Sequence, residues 1–308
     1  MKIAFCCTDT PPEPWLQGLK AALPDAAVSL WQPGAPSEPA DYAVVWAPPQ
    51  AFIDAQPRVK ALFNIGAGVD ALLRLQLPPT LTLVRLDDAG MAVQMAEYVS
   101  HAVIRYFREF DHCLTAQTRH HWQARAPRPR RDFSVGIMGL GVLGARVAQA
   151  VRAFEFPVLG WSRSPKTLDG VATYHGPDGL DTFLASTQVL VNLLPLTADT
   201  RDILNRHTLS RLRPGGFVVN VARGAHLVEE DLLALLDSGH LAGATLDVFR
   251  TEPLPADHPF WAHPRVTVTP HTSARTLRDE SIAQIARKIR ALEQGQPIAG
   301  VVDRTRGY

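Results

Sequence analysis

The fold of this chain is decided by Ser134–Gly144, which reads SVGIMGLGVLG. Its apolar start predicts a buried parallel strand that ends at a glycine. Gly139, Gly141 and Gly144 then form a G-x-G-x-x-G pattern, which permits a tight turn, a close backbone approach to a diphosphate and close packing of the next helix. Apolar residues at helical spacing predict that helix over Val142–Phe154. The alternative is a glycine-rich turn without a ligand, but the strand before it and the helix after it favour a dinucleotide site.

The strand predicted after this helix, Phe156–Trp161, ends in a cluster of cations and hydroxyl groups. A site that prefers NAD places an acidic residue about 20 residues beyond the glycines to bind the ribose 2′-hydroxyl, and the sequence has no acid there. Ser162, Arg163, Ser164 and Lys166 instead suit a 2′-phosphate. We therefore expect NADP(H) as the preferred cofactor and NAD(H) as a possible second one. The alternative is a solvated basic turn.

The composition predicts a protein of two ordinary domains. The chain has 308 residues, 46% of them hydrophobic and 20% charged, with a formal net charge of +1. This charge gives no reason to expect nucleic acid or an anionic membrane as a partner, and the apolar runs are too short for a membrane span. The opening residues predict a strand rather than a signal peptide. Cys6, Cys7 and Cys113 are expected to be free thiols, so we expect a cytoplasmic location.

Short apolar segments separated by prolines predict a first α/β unit over residues 1 to about 90. Its predicted strands are Lys2–Cys6, Ala27–Trp31, Tyr42–Trp46, Ala61–Ile65 and Leu81–Arg85. One long helix is predicted over Met91–Trp122, and a last helix over Thr276–Leu292. Between them a doubly wound unit is expected, whose further strands are predicted at Gln188–Leu193, Gly216–Val221, Ala242–Leu246 and Arg265–Thr269.

Two further stretches bear on ligands. Asn64–Asp70, with glycines at Gly66 and Gly68, follows a strand and precedes an apolar helical pattern, so its backbone N–H groups would suit a small carboxylate. An ordinary strand-to-helix turn is an equal alternative. His120 and His121 are adjacent and would point apart on a helix, which makes them a poor pair of metal ligands. We predict no metal site.

Three predicted strands of the second unit end in polar motifs, which are Asn220–Gly224, Asp247–Pro253 and Thr269–Ser273. Open α/β sheets bind their ligands at the carboxyl ends of their parallel strands, so we expect these motifs at one edge of the sheet. A reductase of 2-oxo acids needs a fixed cation for the substrate carboxylate and a proton donor for the carbonyl oxygen, beside a nicotinamide that donates hydride.

Arg223, Glu252 and His271 fit these needs. A guanidinium is always charged and can bind a carboxylate with two hydrogen bonds, and an imidazole titrates near working pH. A carboxylate on the other ring nitrogen would orient the imidazole and favour its protonated form. Taken singly, the arginine also fits a surface ion pair, the glutamate a helix cap and the histidine a buried structural role. Their joint placement at strand ends favours catalysis.

With these motifs the chain resembles the D-2-hydroxyacid dehydrogenase family along its whole length. The motifs that carry the resemblance are Gly139–Gly144, Asn220–Gly224, Asp247–Phe249 with Glu252-Pro253, and Pro270-His271. More narrowly, the chain is similar to the bacterial glyoxylate/hydroxypyruvate reductase A group in Tyr42–Trp46, Gly66–Asp70, Trp161–Arg163, Val191–Pro195 and Val302–Tyr308. The chain departs from the wider family in the missing acid after Trp161, which favours NADPH, as in this group.

The resemblance implies roles for the site residues. It implies catalysis by Arg223, Glu252 and His271, and substrate binding by Trp46, Ala67, Gly68 and Arg223. The phosphate groups of the cofactor are expected at Gly139, Leu140, Gly141, Val142, Leu143, Gly144, Ser162, Arg163, Ser164 and Lys166. The nicotinamide side is expected to be lined by Leu193, Leu194, Pro195, Val221, Ala222, Arg223, Asp247, His271 and Ser273.

The resemblance also implies the architecture and the reaction. The expected fold is α/β with two doubly wound parallel sheets, in which a Rossmann-type cofactor domain over residues 96–272 is inserted in a flavodoxin-like substrate domain over 1–95 and 273–308. The implied activity is the NADPH-dependent reduction of glyoxylate to glycolate and of hydroxypyruvate to D-glycerate, in a homodimer. A D-lactate or phosphoglycerate type of dehydrogenase and a non-catalytic NADP(H)-sensing protein are the alternatives.

Overall fold

The computed structural model describes residues 1–8 and 10–308 and divides into two compact units. Unit 1 consists of Met1–Gly90 with Thr276–Tyr308, and unit 2 of Met91–Arg275. The strands are β1 (Lys2–Cys7), β2 (Ala27–Leu30), β3 (Tyr42–Trp46), β4 (Ala61–Asn64), β5 (Thr82–Val84), β6 (Val135–Met138), β7 (Val158–Ser162), β8 (Ala172–His175), β9 (Val189–Asn192), β10 (Gly216–Asn220), β11 (Leu241–Leu246) and β12 (Val266–Val268). The helices are α1 (Pro12–Ala22), α2 (Gln50–Ala55), α3 (Met91–Phe107), α4 (Phe110–Thr118), α5 (Val142–Arg152), α6 (Gly176–Ala185), α7 (Arg206–Leu209), α8 (Glu229–Asp237) and α9 (Arg278–Glu293).

The sheet of unit 1 runs in the order β2-β1-β3-β4-β5, with parallel pairing throughout. Its central strands are almost completely buried, which is why the sequence shows them as unbroken apolar runs. This is the flavodoxin-like order, and it reverses between β1 and β3. Cys7 and Trp46, which pair in register, therefore mark the carboxyl ends of the two strands at the switch point.

The last part of the chain completes unit 1. α9 packs on α1 so closely that a Cβ on Gly18 would lie 2.5 Å from Cδ1 of Ile282. The side chain of Lys288 is only 5% exposed, and its Nζ lies 2.9 Å from Oδ2 of Asp87. Beyond α9, Val301 forms an antiparallel bridge with Val84 of β5. The segment after Arg275 therefore covers one face and one edge of the first sheet.

The sheet of unit 2 runs in the order β12-β11-β10-β9-β6-β7-β8, again with parallel pairing. Counted from β6, this is the Rossmann order with β12 added at one edge. One apolar core joins the sheet to α3 and α5, and another joins it to α6, α7 and α8. The order reverses between β6 and β9, so the carboxyl ends of these strands form the switch point. The two sheets confirm the predicted fold class.

The predicted strands are confirmed with slightly shifted ends, but the single long helix over Met91–Trp122 is wrong. The helix is interrupted between α3 and α4 at Glu109, whose φ of 54° is left-handed. The carboxylate of Glu109 is 3.0 Å from Nε of Arg125 and 2.8 Å from Nη2 of Arg128. These arginines lie far along the sequence, so the apolar spacing that continues to Phe110 gave no sign of the break.

The sequence analysis also missed β8 and α6, which follow the basic turn after β7. β8 is an edge strand whose side chains are exposed or half-buried, so it lacks the apolar run that marks the central strands. Among the residues that the structure describes, no helix is both long and apolar enough to cross a membrane.

Candidate active site

The turn between β6 and α5 presents backbone toward a ligand. Gly139 has a φ of 98°, and a Cβ on it would lie 2.8 Å from the carbonyl oxygen of Leu193. A Cβ on Gly144 would lie 1.8 Å from the carbonyl oxygen of Gly139, so the packing of the chain itself requires both glycines. At Gly141, which caps α5, no atom of the described residues other than Gly141 and its two chain neighbours lies within 4 Å of the position of a Cβ. Open space at this helix N-terminus fits a diphosphate.

The other residues of the predicted fingerprint contribute backbone rather than contacts from their side chains. Leu140 is buried, and a Cβ on Gly160 would lie 2.7 Å from its methyl carbons. Leu143 packs on the core under α3 and α5, whereas Val142 is 49% exposed at the start of α5. The structure thus brings the whole fingerprint to the switch point of the sheet.

The end of β7 lies beside this turn, because the N–H of Gly139 donates to the carbonyl oxygen of Trp161 at 2.8 Å. Ser162 is buried, and its Oγ donates to the carbonyl oxygen of Ser164 at 2.8 Å, which curls the chain beyond the strand. Arg163, Ser164 and Lys166 are exposed there. An accessible cationic turn at this position has the charge that a 2′-phosphate requires.

Two buried asparagines end β9 and β10 and shape the loops that follow. Nδ2 of Asn192 donates to Oδ1 of Asn220 at 3.0 Å, and both residues are 0% exposed. Oδ1 of Asn192 accepts the N–H of Leu194 at 3.2 Å, and Oδ1 of Asn220 accepts the N–H of Ala222 at 3.3 Å. These bonds fix the starts of the two loops that carry predicted nicotinamide-side residues, Leu193–Pro195 and Val221–Arg223.

Asp247 follows β11 and organises the segment that follows β12. It is 0% exposed. Its carboxylate accepts the hydroxyl of Thr269 at 2.6 Å and the N–H groups of Thr272 and Ser273, each at 2.8 Å. Its carbonyl oxygen accepts the N–H of His271 at 2.9 Å. Asp247 and the buried Ser273 therefore support this segment from inside.

His271 and Glu252 form a hydrogen-bonded pair. Nδ1 of His271 lies 2.8 Å from Oε2 of Glu252, and Oε1 of Glu252 accepts the N–H of Phe249 at 2.9 Å. Partial burial raises the pKa of Glu252, but hydrogen bonds from His271 and Phe249 and the charges of His271 and Arg223 outweigh it and hold the pKa below its usual value. With Nδ1 facing a carboxylate, Nε2 is the ring nitrogen that can deliver a proton to a substrate.

Arg223 reaches the same edge of the sheet because two loops pack against each other. A Cβ on Gly224 would lie 1.8 Å from the carbonyl carbon of Phe249, so only glycine allows this approach. Nη1 of Arg223 donates to the carbonyl oxygen of Ala222 at 2.7 Å, and its charge acts on the Glu252 carboxylate. The structure thus brings together the predicted catalytic residues from the loops after β10, β11 and β12.

In unit 1, the loop after β4 carries the predicted substrate-binding residues Ala67 and Gly68. Nδ2 of Asn64 donates to the carbonyl oxygens of Gly66 at 3.0 Å and of Gly68 at 2.8 Å. The ring of Trp46 lies against Gly66, where a Cβ would be 2.5 Å from Cζ3 of the ring. Trp46 and the glycine loop are therefore neighbours within unit 1.

The helix predicted after this loop is wrong, because only a single 3₁₀ turn forms, over Leu72–Arg74. Leu75 is already extended, and Pro78 and Pro79 follow shortly after it, which prevents a longer helix. A helix dipole therefore makes no contribution at this loop, and any anion would bind to its backbone N–H groups alone.

Sequence reasoning missed several residues that support the site. Asn192 and Asn220 carried a usable signal, since each is polar at the end of an apolar strand. Tyr98, whose hydroxyl lies 2.5 Å from Oγ1 of Thr269, carried none, because its partner is far along the sequence. The same holds for His226, which is 0% exposed and has Nε2 3.3 Å from the carbonyl oxygen of Pro195.

The side chains that could bind a metal do not cluster in the described part of the chain. In the described ranges, 1–8 and 10–308, no group of three or more His, Cys, Asp or Glu side chains is placed to hold a metal ion. His120 and His121 lie beyond the end of α4, and His120 has a φ of 52°, so the expectation that they share a helix was wrong.

Comparison with known proteins adds to this geometry. The family model for the D-isomer specific 2-hydroxyacid dehydrogenase, NAD binding domain, matches residues 100–273. The chain is 51% identical over 302 residues to glyoxylate/hydroxypyruvate reductase A of Serratia proteamaculans (strain 568), and the match covers 96% of both chains. It is 47% identical over 300 residues to the protein of the same name from Yersinia enterocolitica, again with 96% coverage of both.

Solved structures agree over the full length. A D-isomer specific 2-hydroxyacid dehydrogenase from Xanthobacter autotrophicus Py2, in complex with NADPH and MES, superimposes with a TM-score of 0.95 at 39% identity and covers 100% of this chain and 99% of that one. The NADPH-dependent glyoxylate/hydroxypyruvate reductase from Sinorhizobium meliloti, in complex with NADP and sulfate, gives a TM-score of 0.93 at 37% identity with the same coverage.

Proposed function

This chain belongs to the D-isomer specific 2-hydroxyacid dehydrogenase family, and on that premise we propose that it reduces glyoxylate to glycolate and hydroxypyruvate to D-glycerate with NADPH. The observation that carries the proposal is the cluster of Arg223, Glu252 and His271 at the carboxyl ends of neighbouring parallel strands. Relatives about half identical over nearly the whole chain are named for this activity, which supports the choice of substrates.

Unit 2 would hold the cofactor and perform the chemistry. The glycine turn has space for the diphosphate at Gly141, and Arg163 and Lys166 would meet the 2′-phosphate. NADPH, when bound, supplies the hydride. His271 would donate a proton to the carbonyl oxygen as charge develops there, Glu252 would keep the imidazole oriented, and the Arg223 guanidinium would stabilise the charge.

Unit 1 would recognise the substrate carboxylate through the N–H groups of Ala67 and Gly68. Nδ2 of Asn64 donates to carbonyl oxygens of this loop, so these two hydrogen bonds do not use the N–H groups of Ala67 and Gly68. Trp46 lies against the same loop and would limit the size of the 2-oxo acid. We accordingly assign unit 1 to the substrate domain and unit 2 to the cofactor domain; the predicted bounds, 1–95 with 273–308 and 96–272, differ from the unit bounds by five residues at one crossing and by three at the other.

The test is the loss of NADPH absorbance with glyoxylate and with hydroxypyruvate, repeated with NADH. We expect fast turnover of NADPH with both substrates and slower turnover of NADH. Arg163→Ala should raise KM for NADPH by about tenfold and leave KM for NADH unchanged, because it removes one charge-assisted contact with the 2′-phosphate. Tight NADPH binding without turnover of any 2-oxo acid would reject the proposed activity and favour a non-catalytic NADP(H)-sensing protein.

A homodimer is part of the proposal. α4 exposes Phe110 and Leu114, and beyond it Trp122 is 99% exposed. Phe110 and Leu114 help to line a groove of about 430 Å³, whose other lining residues are His101, Arg105, Cys113 and Gln117. Such an apolar surface suits a second copy of the same chain, since two-fold dimers pair identical patches.

Light scattering tests the dimer. Leu114→Asp should give a monomer, because a charge would be buried at the centre of the contact. Phe154→Asp, which changes a similarly exposed apolar side chain elsewhere on unit 2, should remain a dimer. A monomeric wild-type protein would end this part of the proposal. For localisation we propose the cytoplasm, which agrees with Cys6 and Cys113 forming no disulfide.

A further inference from the structure

Helix α3 holds the segment that carries His271 at both of its ends. At one end, the hydroxyl of Tyr98 lies 2.5 Å from Oγ1 of Thr269. At the other end, the Gln94 side chain accepts the N–H of Arg275 at 3.2 Å and donates to its carbonyl oxygen at 2.9 Å. Gln94 and Tyr98 are four residues apart and therefore share one face of the helix. His271 lies between the two attachments.

The hydrogen bonds at Tyr98 run in one direction. The hydroxyl of Thr269 has one hydrogen, and it is donated to the Asp247 carboxylate at 2.6 Å. Tyr98 must therefore be the donor to Thr269. Burial, and to a smaller extent the charge of Asp247, raise the pKa of Tyr98 to about 12, so the phenol keeps its proton and remains a donor.

This chain of bonds ends on the backbone around His271. The Asp247 carboxylate also accepts the N–H groups of Thr272 and Ser273, and the Asp247 carbonyl oxygen accepts the N–H of His271. His271 itself has a φ of 52°, a left-handed conformation that a non-glycine residue keeps only when its surroundings fix it. The orientation of the imidazole therefore depends on groups that lie behind the segment.

We propose that Tyr98 is a positioning residue for His271, acting through Thr269 and Asp247. Its hydroxyl fixes the Thr269 rotamer, and Thr269 in turn fixes the Asp247 carboxylate that holds the left-handed turn. The proposal rests on the proposed function in assigning proton donation to His271. Loss of the Tyr98 hydroxyl would let the imidazole sample orientations that do not deliver a proton, while the cofactor site at the glycine turn would be unaffected.

The experiment compares Tyr98→Phe with Tyr106→Phe. Tyr106 is a matched control, because it is a half-buried phenol on the same helix with its own backbone hydrogen bond, to the carbonyl oxygen of Gly215 at 2.5 Å, at the other end of β10. We expect Tyr98→Phe to lower kcat by about fivefold, the size expected for losing one hydrogen bond, with the preference for NADPH over NADH unchanged, because the 2′-phosphate site after β7 is not touched. The solvent deuterium isotope effect on kcat should rise in Tyr98→Phe alone.

A second measurement does not need turnover. In protein labelled with ¹³C at histidine Cε1, the His271 signal is assigned by its loss in His271→Gln. It should shift and broaden in Tyr98→Phe and stay unchanged in Tyr106→Phe. If the His271 signal shifts in Tyr98→Phe but the wild-type protein reduces no 2-oxo acid, the proposed function is rejected and the positioning role of Tyr98 is kept. The inference would be overturned if Tyr98→Phe kept the wild-type kcat, isotope effect and His271 signal. Equal losses of kcat in Tyr98→Phe and Tyr106→Phe would also overturn it.

Discussion

Both sheets have asparagines at strand ends, but these asparagines bind the loops that follow with different sets of hydrogen bonds. In unit 2, the side-chain oxygens of Asn192 and Asn220 accept N–H groups of the loops that follow, and Nδ2 of Asn220 also donates to the carbonyl oxygen of Arg223 at 3.2 Å. In unit 1, Nδ2 of Asn64 at the end of β4 donates to the carbonyl oxygens of Gly66 and Gly68. On the proposed function, the first arrangement would hold side chains in place for chemistry, and the second would leave the N–H groups of Ala67 and Gly68 for the substrate carboxylate.

The largest expected effect comes from the edge of unit 2. Arg223→Ala should lower kcat/KM for glyoxylate by about 10³-fold, since it removes the cation that would stabilise charge on the substrate. The control is Arg213→Ala, because Arg213 precedes the opposite end of the same strand and donates to the carbonyl oxygen of Asp132 at 2.8 Å. That variant should keep wild-type kinetics. Near wild-type activity in Arg223→Ala would show that Arg223 does not take part in the reaction.

Gly141 and Gly144 lie in the same turn, but we expect Gly141 to be needed for ligand binding and Gly144 for packing of the chain. Gly141→Ala should weaken NADPH binding by about 10- to 100-fold with stability within about 0.5 kcal/mol of wild type, because its methyl group meets open space where the diphosphate is expected. Gly144→Ala should lower stability by about 3 kcal/mol or more, because its methyl group would collide with the carbonyl oxygen of Gly139. Calorimetry measures NADPH binding by each variant, and thermal unfolding measures its stability. A destabilised Gly141→Ala would show that the space at Gly141 is not open.

Asp247 in unit 2 also accepts N–H groups of a following segment, so a comparison of Asp247 with Asn64 in unit 1 extends the contrast between the sheets. Asp247→Asn places an amide donor against the N–H of Thr272 or Ser273, so kcat should fall about tenfold as the His271 segment loosens. Asn64→Leu should instead raise KM for glyoxylate by about tenfold and leave KM for NADPH unchanged. Steady-state kinetics with both substrates varied will show whether the two effects separate; a fall in kcat for Asn64→Leu would remove the distinction.

The smallest expected effect is on acid stability. The pKa of Glu252 is lower in the folded protein than its ordinary value of 4.5, so the pairing stabilises the fold above that pH and is lost as the pH falls through the folded value. Wild-type Tm should therefore fall more steeply than that of Glu252→Gln from about pH 5 to about pH 3. Differential scanning calorimetry measures this, and parallel curves would show that the His271 pair contributes nothing to folding.

The sequence predicts most of the architecture, because local signals determine it. The apolar runs mark the central strands of both sheets, and the glycines after β6 identify the cofactor turn. The break at Glu109 could not be predicted, since it is stabilised by Arg125 and Arg128 from a later loop. β8 was missed because an exposed edge strand lacks an apolar pattern.

The same distinction applies to the site. Arg223, Glu252 and His271 could be proposed from their positions at strand ends, because topology gathers those ends at one edge. Their supports follow from pairings that no local pattern contains, such as Tyr98 with Thr269. A sequence motif identifies the groups that could react, whereas the hydrogen bonds that orient them are known only from the folded chain.

The division of unit 1 into two chain segments has a consequence for its synthesis. The first sheet leaves the ribosome early, but α9 and the Val301 bridge to Val84 are made only after all of unit 2. At 5–20 residues per second, the intervening Met91–Arg275 takes about ten to forty seconds to translate. During that time the surface on α1 that later meets Ile282, and Asp87, which later meets Lys288, lack their partners. Until the last helix emerges, the nascent first segment therefore exposes surface that α9 covers in the finished protein.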